Sequence, residues 1–296
     1  MKLKIYYWSP IISKIATVKA VINSAKSLTR YSKNFDCSVI NSVGEFNSHK
    51  LILKKNNINL KNFYKFNLKR FLPDKGYFLS RISFIIIFVL SFLKLKNLLY
   101  REKPDYLIIH LITSLPLLIN LIYNFKTKFI LRISGLPKLN FFRRLFWKIA
   151  IKKIHYVTCP TEETKNFLIS NNLVKKNRVG VLYDPIIDFD EIKISKKRIS
   201  FFKKKFKNFI LCVGRLTHQK NFSLIIKSFK HISSKEKNLN LVIAGDGEQK
   251  IKLRKLASEL GLKKKVFLIG HNKDIYTLFK CSKIFEKSKK NFQSFN

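Results

Sequence analysis

The stretch Val213-Gly214-Arg215-Leu216-Thr217-His218-Gln219-Lys220 carries the clearest chemistry in this sequence. An apolar run precedes it and an amphipathic run follows, so it reads as the turn between a strand and a helix. Gly214 lets the chain turn at the carboxyl end of the strand, where open α/β sheets bind ligands. Arg215 and Lys220 set a bidentate guanidinium and a point-charge ammonium near a helix N-terminus, a combination that suits a diphosphate. Two solvated surface cations in a chain with 60 Lys and Arg are the plain alternative. Two further turns have the same form. Leu241-Val242-Ile243-Ala244 runs into Gly245-Asp246-Gly247-Glu248, where Asp246 can orient the turn or cap the next helix. Val266–Ile269 runs into Gly270-His271. Three glycine turns on one sheet edge outline a nucleotide-sized crevice better than any one of them does.

In the first half, Asp105-Tyr106-Leu107-Ile108-Ile109-His110 is a strand ending in histidine. A histidine there can act as acid or base or grip a substrate hydroxyl; a hydrogen-bonded strand-end histidine is the alternative. Arg132, in Leu131-Arg132-Ile133-Ser134-Gly135, reads as a solvated strand-end cation. Thr161 is a helix N-cap, with Glu162 and Glu163 in the first turn where the helix dipole favours acids. The cysteines Cys37, Cys159, Cys212 and Cys281 are far apart and offer no metal spacing.

Short apolar runs separated by helical stretches must position these residues. Strands are expected at Leu3–Trp8, Cys37–Ser42, Tyr106–His110, Lys128–Ile133, Tyr156–Cys159 and Arg178–Tyr183. Helices are expected at Ile15–Tyr31, Leu79–Arg101, Phe141–Lys152 and Thr161–Asn171. The run from Asp184 to Ser200 breaks the pattern. After it come strands at Phe209–Val213, Leu239–Ala244 and Val266–Ile269, with helices Phe222–Ser233 and Lys250–Leu260 between them. This alternation predicts α/β architecture with two Rossmann-like, doubly wound parallel sheets: a first domain over 1–190, a linker over 191–207 and a partial second domain over 208–296. The polar tail from Glu286 to Asn296 reads as frayed.

The chain has 296 residues and a net charge of +43, from 60 Lys and Arg against 17 Asp and Glu. Such an excess suits an anionic partner: phosphorylated ligands, an anionic membrane surface or nucleic acid. The basic residues are spread along the whole chain with no nucleic-acid-recognition motif, which argues against nucleic acid. The apolar run Ile82–Leu93 is only about 18 Å long as a helix, too short to span ~30 Å of hydrocarbon, and is read as a buried helix, with a membrane-dipping helix as the alternative. No signal peptide is legible at the N-terminus, and the free thiols suit a reducing cytoplasm.

The three glycine turns, with the N-terminal strand, His110, Arg132–Gly135 and Thr158–Glu162, resemble family-4 retaining glycosyltransferases of the GT-B fold. The resemblance covers nearly the whole chain and is most specific in the second half. It implies that Gly214, Arg215 and Lys220 hold the donor diphosphate, a role needing neither metal nor cofactor. It implies that Gly245, Asp246, Gly270 and His271 lie at the nucleotide, and that His110 stands near the reacting sugar. The donor would be a nucleotide-sugar, bound mainly by the second domain. The acceptor would be a glycan or a lipid-linked sugar, bound by the first, in cell-surface polysaccharide synthesis. Such an enzyme would be cytoplasmic, peripheral at the inner face of the membrane. Two departures stand out. The turn Ser9-Pro10-Ile11-Ile12-Ser13 has no glycine, and the family's pair of donor-binding glutamates past Ile284-Phe285 is not identifiable before the chain stops at Asn296. The resemblance therefore implies a C-terminally truncated member with a marginally stable second domain and little transferase activity. An inactive homologue binding nucleotide or anionic membrane, a basic nucleic-acid-binding protein and a nucleotide-sugar epimerase are the competing readings.

Overall fold

The computed structural model describes residues 2–10, 16–73, 77–137, 139–185, 187, 192, 194 and 196–286. The chain divides into two compact units, Met1–Asp188 and Phe189–Asn296.

In the first unit the elements run β1 (Leu3–Trp8), α1 (Ala16–Tyr31), β2 (Phe35–Asn41), α2 (Lys50–Lys55), β3 (Asn59–Asn62), α3 (Tyr77–Glu102), β4 (Tyr106–Ile109), α4 (Ser114–Ile122), β5 (Lys128–Arg132), α5 (Phe141–Ala150), β6 (Tyr156–Cys159), α6 (Glu162–Ser170) and β7 (Val179–Val181). The strands form a parallel seven-stranded sheet in the order β3-β2-β1-β4-β5-β6-β7. Both faces are covered, so the strands read as near-continuous apolar runs. Side chains alternate between the faces. Tyr6, Trp8, Leu107 and Ile109 enter one core with Leu95 and Leu99 of α3 and Trp147 and Ala150 of α5. Ile5 and Tyr7 enter the other, with Val21, Ile22 and Ala25 of α1. The expected cap of α6 is present: the Thr161 hydroxyl accepts the Thr164 N–H at 3.2 Å.

The second unit runs α7 (Lys196–Phe206), β8 (Asn208–Val213), α8 (Phe222–Lys235), β9 (Leu239–Ala244), α9 (Lys250–Glu259), β10 (Val266–Gly270), α10 (Ile275–Cys281) and β11 (Ile284–Glu286). Its parallel sheet has the order β10-β9-β8-β11. Cys212 faces one core with Ile226 and Phe229 of α8; Phe209 and Leu211 face the other with Phe202, Phe206 and Leu278.

Three expectations change. Residues 196–206, placed in the linker 191–207, form α7. Only Phe202 and Phe206 of this helix are buried, and six of its eleven residues are Lys or Arg, so it passes for a charged connector. Glu286, placed in the frayed tail, ends strand β11 beside Cys212; residues 287–296 lie outside the described residues, as does the Ile11–Ser13 part of the glycine-free turn. The largest change concerns the helix around Ile82–Leu93. It extends over 26 residues and is buried along one line only, Ser83, Ile87, Ser91, Leu95 and Leu99. Periodicity cannot show this, because a run that is apolar all round reads the same whether one face is covered or all of them. Strand β3 and helices α2 and α10 have only four, six and seven residues, too few for a periodicity to mark them.

Candidate functional site

All strands within a unit are parallel, so their carboxyl ends share one edge. In an open α/β sheet the ligand crevice forms at that edge where the strand order reverses. In the second unit the chain goes from β8 outward to β9 and β10, then returns to β11 on the other side of β8. The reversal lies at β8, and the turn leaving β8 there is Gly214-Arg215-Leu216-Thr217, followed by a short 3-10 turn, His218–Lys220, into α8.

The three glycine turns of this edge are stitched together by their backbones. Gly214 N–H donates to Ala244 O at 3.1 Å, Leu216 N–H to Asp246 O at 2.9 Å and Gly245 N–H to Gly270 O at 2.8 Å. At Gly245, φ is +155° and an added Cβ would stand 1.8 Å from the Gly214 carbonyl oxygen, so only glycine fits. The Asp246 carboxylate accepts the Gly247 N–H at 2.9 Å and the Lys250 ammonium at 3.1 Å, contacts that hold it below the usual carboxylate range. Asp246 thus orients the turn, the first of its two expected roles. Arg215 and His271 are exposed, and Lys220 and Gly270 are half-buried. The Thr217 hydroxyl, in the same loop, is buried with no partner among the described residues, a polar group that sequence reasoning did not single out.

In the first unit the order reverses between β1 and β4. His110 leaves β4 at that point: its N–H donates to Trp8 O at 2.9 Å. The ring is 7% exposed, and its Nδ1 has no hydrogen-bond partner among the described residues. The Ser9 hydroxyl, at the end of β1, is likewise buried and unpartnered. Burial, then the Arg132 charge, push the His110 pKa down to about 4 against the opposing pull of Asp184. The imidazole is therefore neutral at pH 7 and holds one donor and one acceptor nitrogen.

Arg132 is not the solvated cation expected. It is 3% exposed, its Nη2 lies 2.7 Å from Asp184 Oδ1, its Nε donates to the same oxygen at 3.2 Å, and its Nη1 donates to Leu182 O. The partner is 52 residues away, so only the fold brings the pair together. A buried guanidinium demands such a partner. Farther along the same edge, past β2 and β3, Asn47, Ser48, Asn67, Lys69 and Arg70 line a cavity. Among the described residues no three His, Cys, Asp or Glu stand close enough to hold a metal.

The neutral buried histidine has a consequence for stability. In the unfolded chain His110 takes a proton near its ordinary pKa of 6.5; in the fold it does so only near 4. The unfolded state binds more protons between those values, so stability falls as pH drops through that window. Going from about pH 7 to about pH 5 should cost about 2 kcal/mol of unfolding free energy through this group. Urea unfolding of wild type and His110→Gln at both pH values checks it: the variant should lose correspondingly less.

Residues 193–286 match the family described as glycosyl transferases group 1. An uncharacterised glycosyltransferase of Methanocaldococcus jannaschii is 30% identical over 212 residues, 65% of this chain and 52% of that protein. The N-acetylgalactosamine-N,N'-diacetylbacillosaminyl-diphospho-undecaprenol 4-alpha-N-acetylgalactosaminyltransferase of Campylobacter jejuni is 35% identical over 115 residues, 38% of this chain and 30% of that enzyme. The chain thus aligns with about half or less of these relatives' length. Among solved structures, a glycosyltransferase from Rickettsia africae superposes with a TM-score of 0.72 at 16% identity, covering 97% of this chain and 73% of that one. Anabaena HepE in complex with UDP superposes with a TM-score of 0.68 at 14% identity, covering 100% and 76%. The chain has a GT-B-like fold, and its residues 193–286 match the glycosyl transferases group 1 family.

Proposed function

We propose that this protein transfers a sugar from a nucleotide-sugar to a glycan or lipid-linked acceptor, as a retaining enzyme of the family-4 type in cell-surface polysaccharide synthesis. The observation that carries this reading is the loop Gly214–Lys220 at the strand-order reversal of the group 1 domain, with Arg215 and Lys220 on either side of it. In such a transfer the bond between the anomeric carbon and the diphosphate oxygen breaks, a glycosidic bond forms to an acceptor hydroxyl, and that hydroxyl gives up its proton. Negative charge grows on the departing diphosphate. A guanidinium fork, an ammonium and nearby backbone N–H groups stabilise that charge most where it is largest, in the transition state. Gly270 leaves room for a nucleoside beside the loop, with His271 at its rim, while Gly245 lets the neighbouring turn close against Gly214 and Asp246 keeps that turn in shape. In the first unit the neutral His110, its Nδ1 without a partner among the described residues, is placed to meet a substrate hydroxyl.

The relatives support the substrate class. The Campylobacter enzyme is named for an acceptor on diphospho-undecaprenol, a Staphylococcus aureus relative for capsular polysaccharide biosynthesis, and HepE is known with UDP-glucose. Lys69 and Arg70, in the cavity of the first unit, are the cations a diphosphate-bearing acceptor would need there. Fold alone does not set the reaction, since UDP-N-acetylglucosamine 2-epimerases share it at TM-scores of 0.62 and 0.55.

The test is incubation of the full chain with radiolabelled UDP-sugars and an undecaprenyl-diphosphate-linked sugar. Label passing into the organic phase, with release of UDP, is the expected result. An epimerised UDP-sugar with no label transferred would replace the reading by an epimerase, and binding of no nucleotide at all would remove it.

A further inference from the structure

The carboxyl edge of the second sheet carries a cation beyond Arg215 and Lys220. Lys250 opens α9, directly after the turn that leaves β9. A cation in the first turn of a helix opposes the helix dipole, and this first turn holds no acid to offset it. Lys252, Arg254 and Lys255 of the same helix are exposed, as solvated charges are. Lys250 differs: its side chain is 28% exposed, against 80% for Lys255. The Asp246 carboxylate accepts from its ammonium at 3.1 Å. The same ammonium stands at the open face of Gly270. A Cβ built on that glycine would lie 3.8 Å from Nζ and, chain neighbours aside, within 4 Å of no other described atom.

The strand order β10-β9-β8-β11 places this cation relative to the loop that leaves β8. Gly270 ends β10, two strands from β8, which is about 10 Å along the edge. The turns between are in backbone contact, from Gly214 to Ala244 and from Gly245 to Gly270. A nucleoside diphosphate with its phosphates at Arg215 and Lys220 therefore extends along this edge toward β10, and its base comes to lie against Gly270. The side-chain group that meets it there is an ammonium, which offers three donors and no acceptor. Asp246 takes one of those donors.

A nucleobase is uncharged, so an ammonium recognises on it a hydrogen-bond acceptor, best a carbonyl oxygen. Uracil and guanine carry a carbonyl on the edge away from the ribose; adenine carries an amino group there, itself a donor. The ion pair with Asp246 holds the ammonium in place before any ligand arrives, so little side-chain freedom is left to lose on binding. We propose that Lys250 reads the nucleobase in this crevice: its ammonium donates to a ring carbonyl oxygen, and the site selects nucleotides with keto-bearing bases over adenine nucleotides. The inference rests on the nucleotide-sugar reading and adds which bases that nucleotide carries. Asp246 is then a positioning residue for Lys250 as well as for its own turn.

Isothermal titration of UDP, GDP and ADP into the full chain reads this selectivity without any appeal to activity. UDP and GDP should each bind about 10- to 100-fold more tightly than ADP, the range that a hydrogen bond to a charged group supplies. Lys250→Met should lower the affinity for UDP and GDP by that factor, leave ADP nearly unchanged and so abolish the preference. Lys250→Arg, which keeps the charge and the donors, should restore most of it. Lys252→Met, at an exposed position of the same helix, controls for the general pull of a basic chain on anions and should leave the preference intact. Equal affinity of the wild type for UDP and ADP overturns the proposal, as does a preference that survives Lys250→Met. GDP binding as weakly as ADP overturns it too, since ring size and not the carbonyl would then be read. So does an equal loss for all three nucleotides in Lys250→Met, which would make this ammonium a phosphate contact. In each of these cases UDP still binds and the transferase reading stands. Failure of every nucleotide to bind removes that reading and this one together.

Discussion

Arg215→Ala weakens binding of UDP about 10- to 100-fold, and Lys220→Ala about tenfold. A hydrogen bond to a charged group is worth about 1.5–3 kcal/mol, and each 1.4 kcal/mol is a factor of ten. Arg215 should lose the most because its fork can meet two phosphate oxygens at once, whereas an ammonium meets them as a point charge. Arg215→Lys should accordingly recover only part of the loss. The control is Lys235→Ala: this residue is exposed at the far end of α8, a full helix away from the carboxyl edge of β8. In a chain of net charge +43, a generic attraction for anions would respond equally to all three substitutions. Isothermal titration of UDP into each variant separates the cases. Equal, small losses at Arg215, Lys220 and Lys235 would return the loop to the plain reading of solvated surface cations.

Asp184→Ala costs about 3 kcal/mol of stability. The reason lies in the asymmetry of the pair: Arg132 is 3% exposed at its side chain and Asp184 28%. Removing the carboxylate leaves a guanidinium buried with, among the described residues, only the Leu182 carbonyl, and an uncompensated buried charge is among the most destabilising changes a fold can suffer. Arg132→Met should cost less, since it leaves a carboxylate that water can reach. The two variants also move His110 in opposite directions. Arg132 pushes the imidazole pKa down and Asp184 pushes it up. Arg132→Met should therefore raise the pH at which His110 titrates, and Asp184→Ala should lower it further. Urea unfolding gives the stabilities and NMR titration of the His110 ring gives the pKa. Equal stability of Asp184→Ala and wild type would mean that water reaches Arg132 in solution.

The boundaries of the α/β alternation were legible from the chain because parallel strands buried on both faces are short apolar runs, and few other things are. Strands Leu3–Trp8, Tyr156–Cys159 and Leu239–Ala244 begin and end where the residues predict. Local signals served as well: Thr161 caps α6, and Gly214, Gly245 and Gly270 each stand at or just past the carboxyl end of a strand. These features depend on neighbours within a turn or two, so the order of residues contains them. Strand β3 and helix α7 escaped for the complementary reason, since a four-residue strand or a lysine-rich helix with two buried side chains has little pattern to show.

What the order of residues could not contain was adjacency across the chain. His110 and Arg132 both stand at strand ends, and nothing local distinguishes a solvated strand-end cation from a buried one. The pairing of Arg132 with Asp184 and the burial that keeps His110 neutral exist only because β4, β5 and the segment after β7 are brought to one edge. The same holds for helix α3, buried along one line only. Composition determined that this chain is basic, and the order of its residues that it is α/β and equipped with a glycine-lined loop bearing two cations. The tertiary structure decided which apolar faces stay uncovered and which charges lose their water, because burial is a property of what packs against a residue and not of the residue itself.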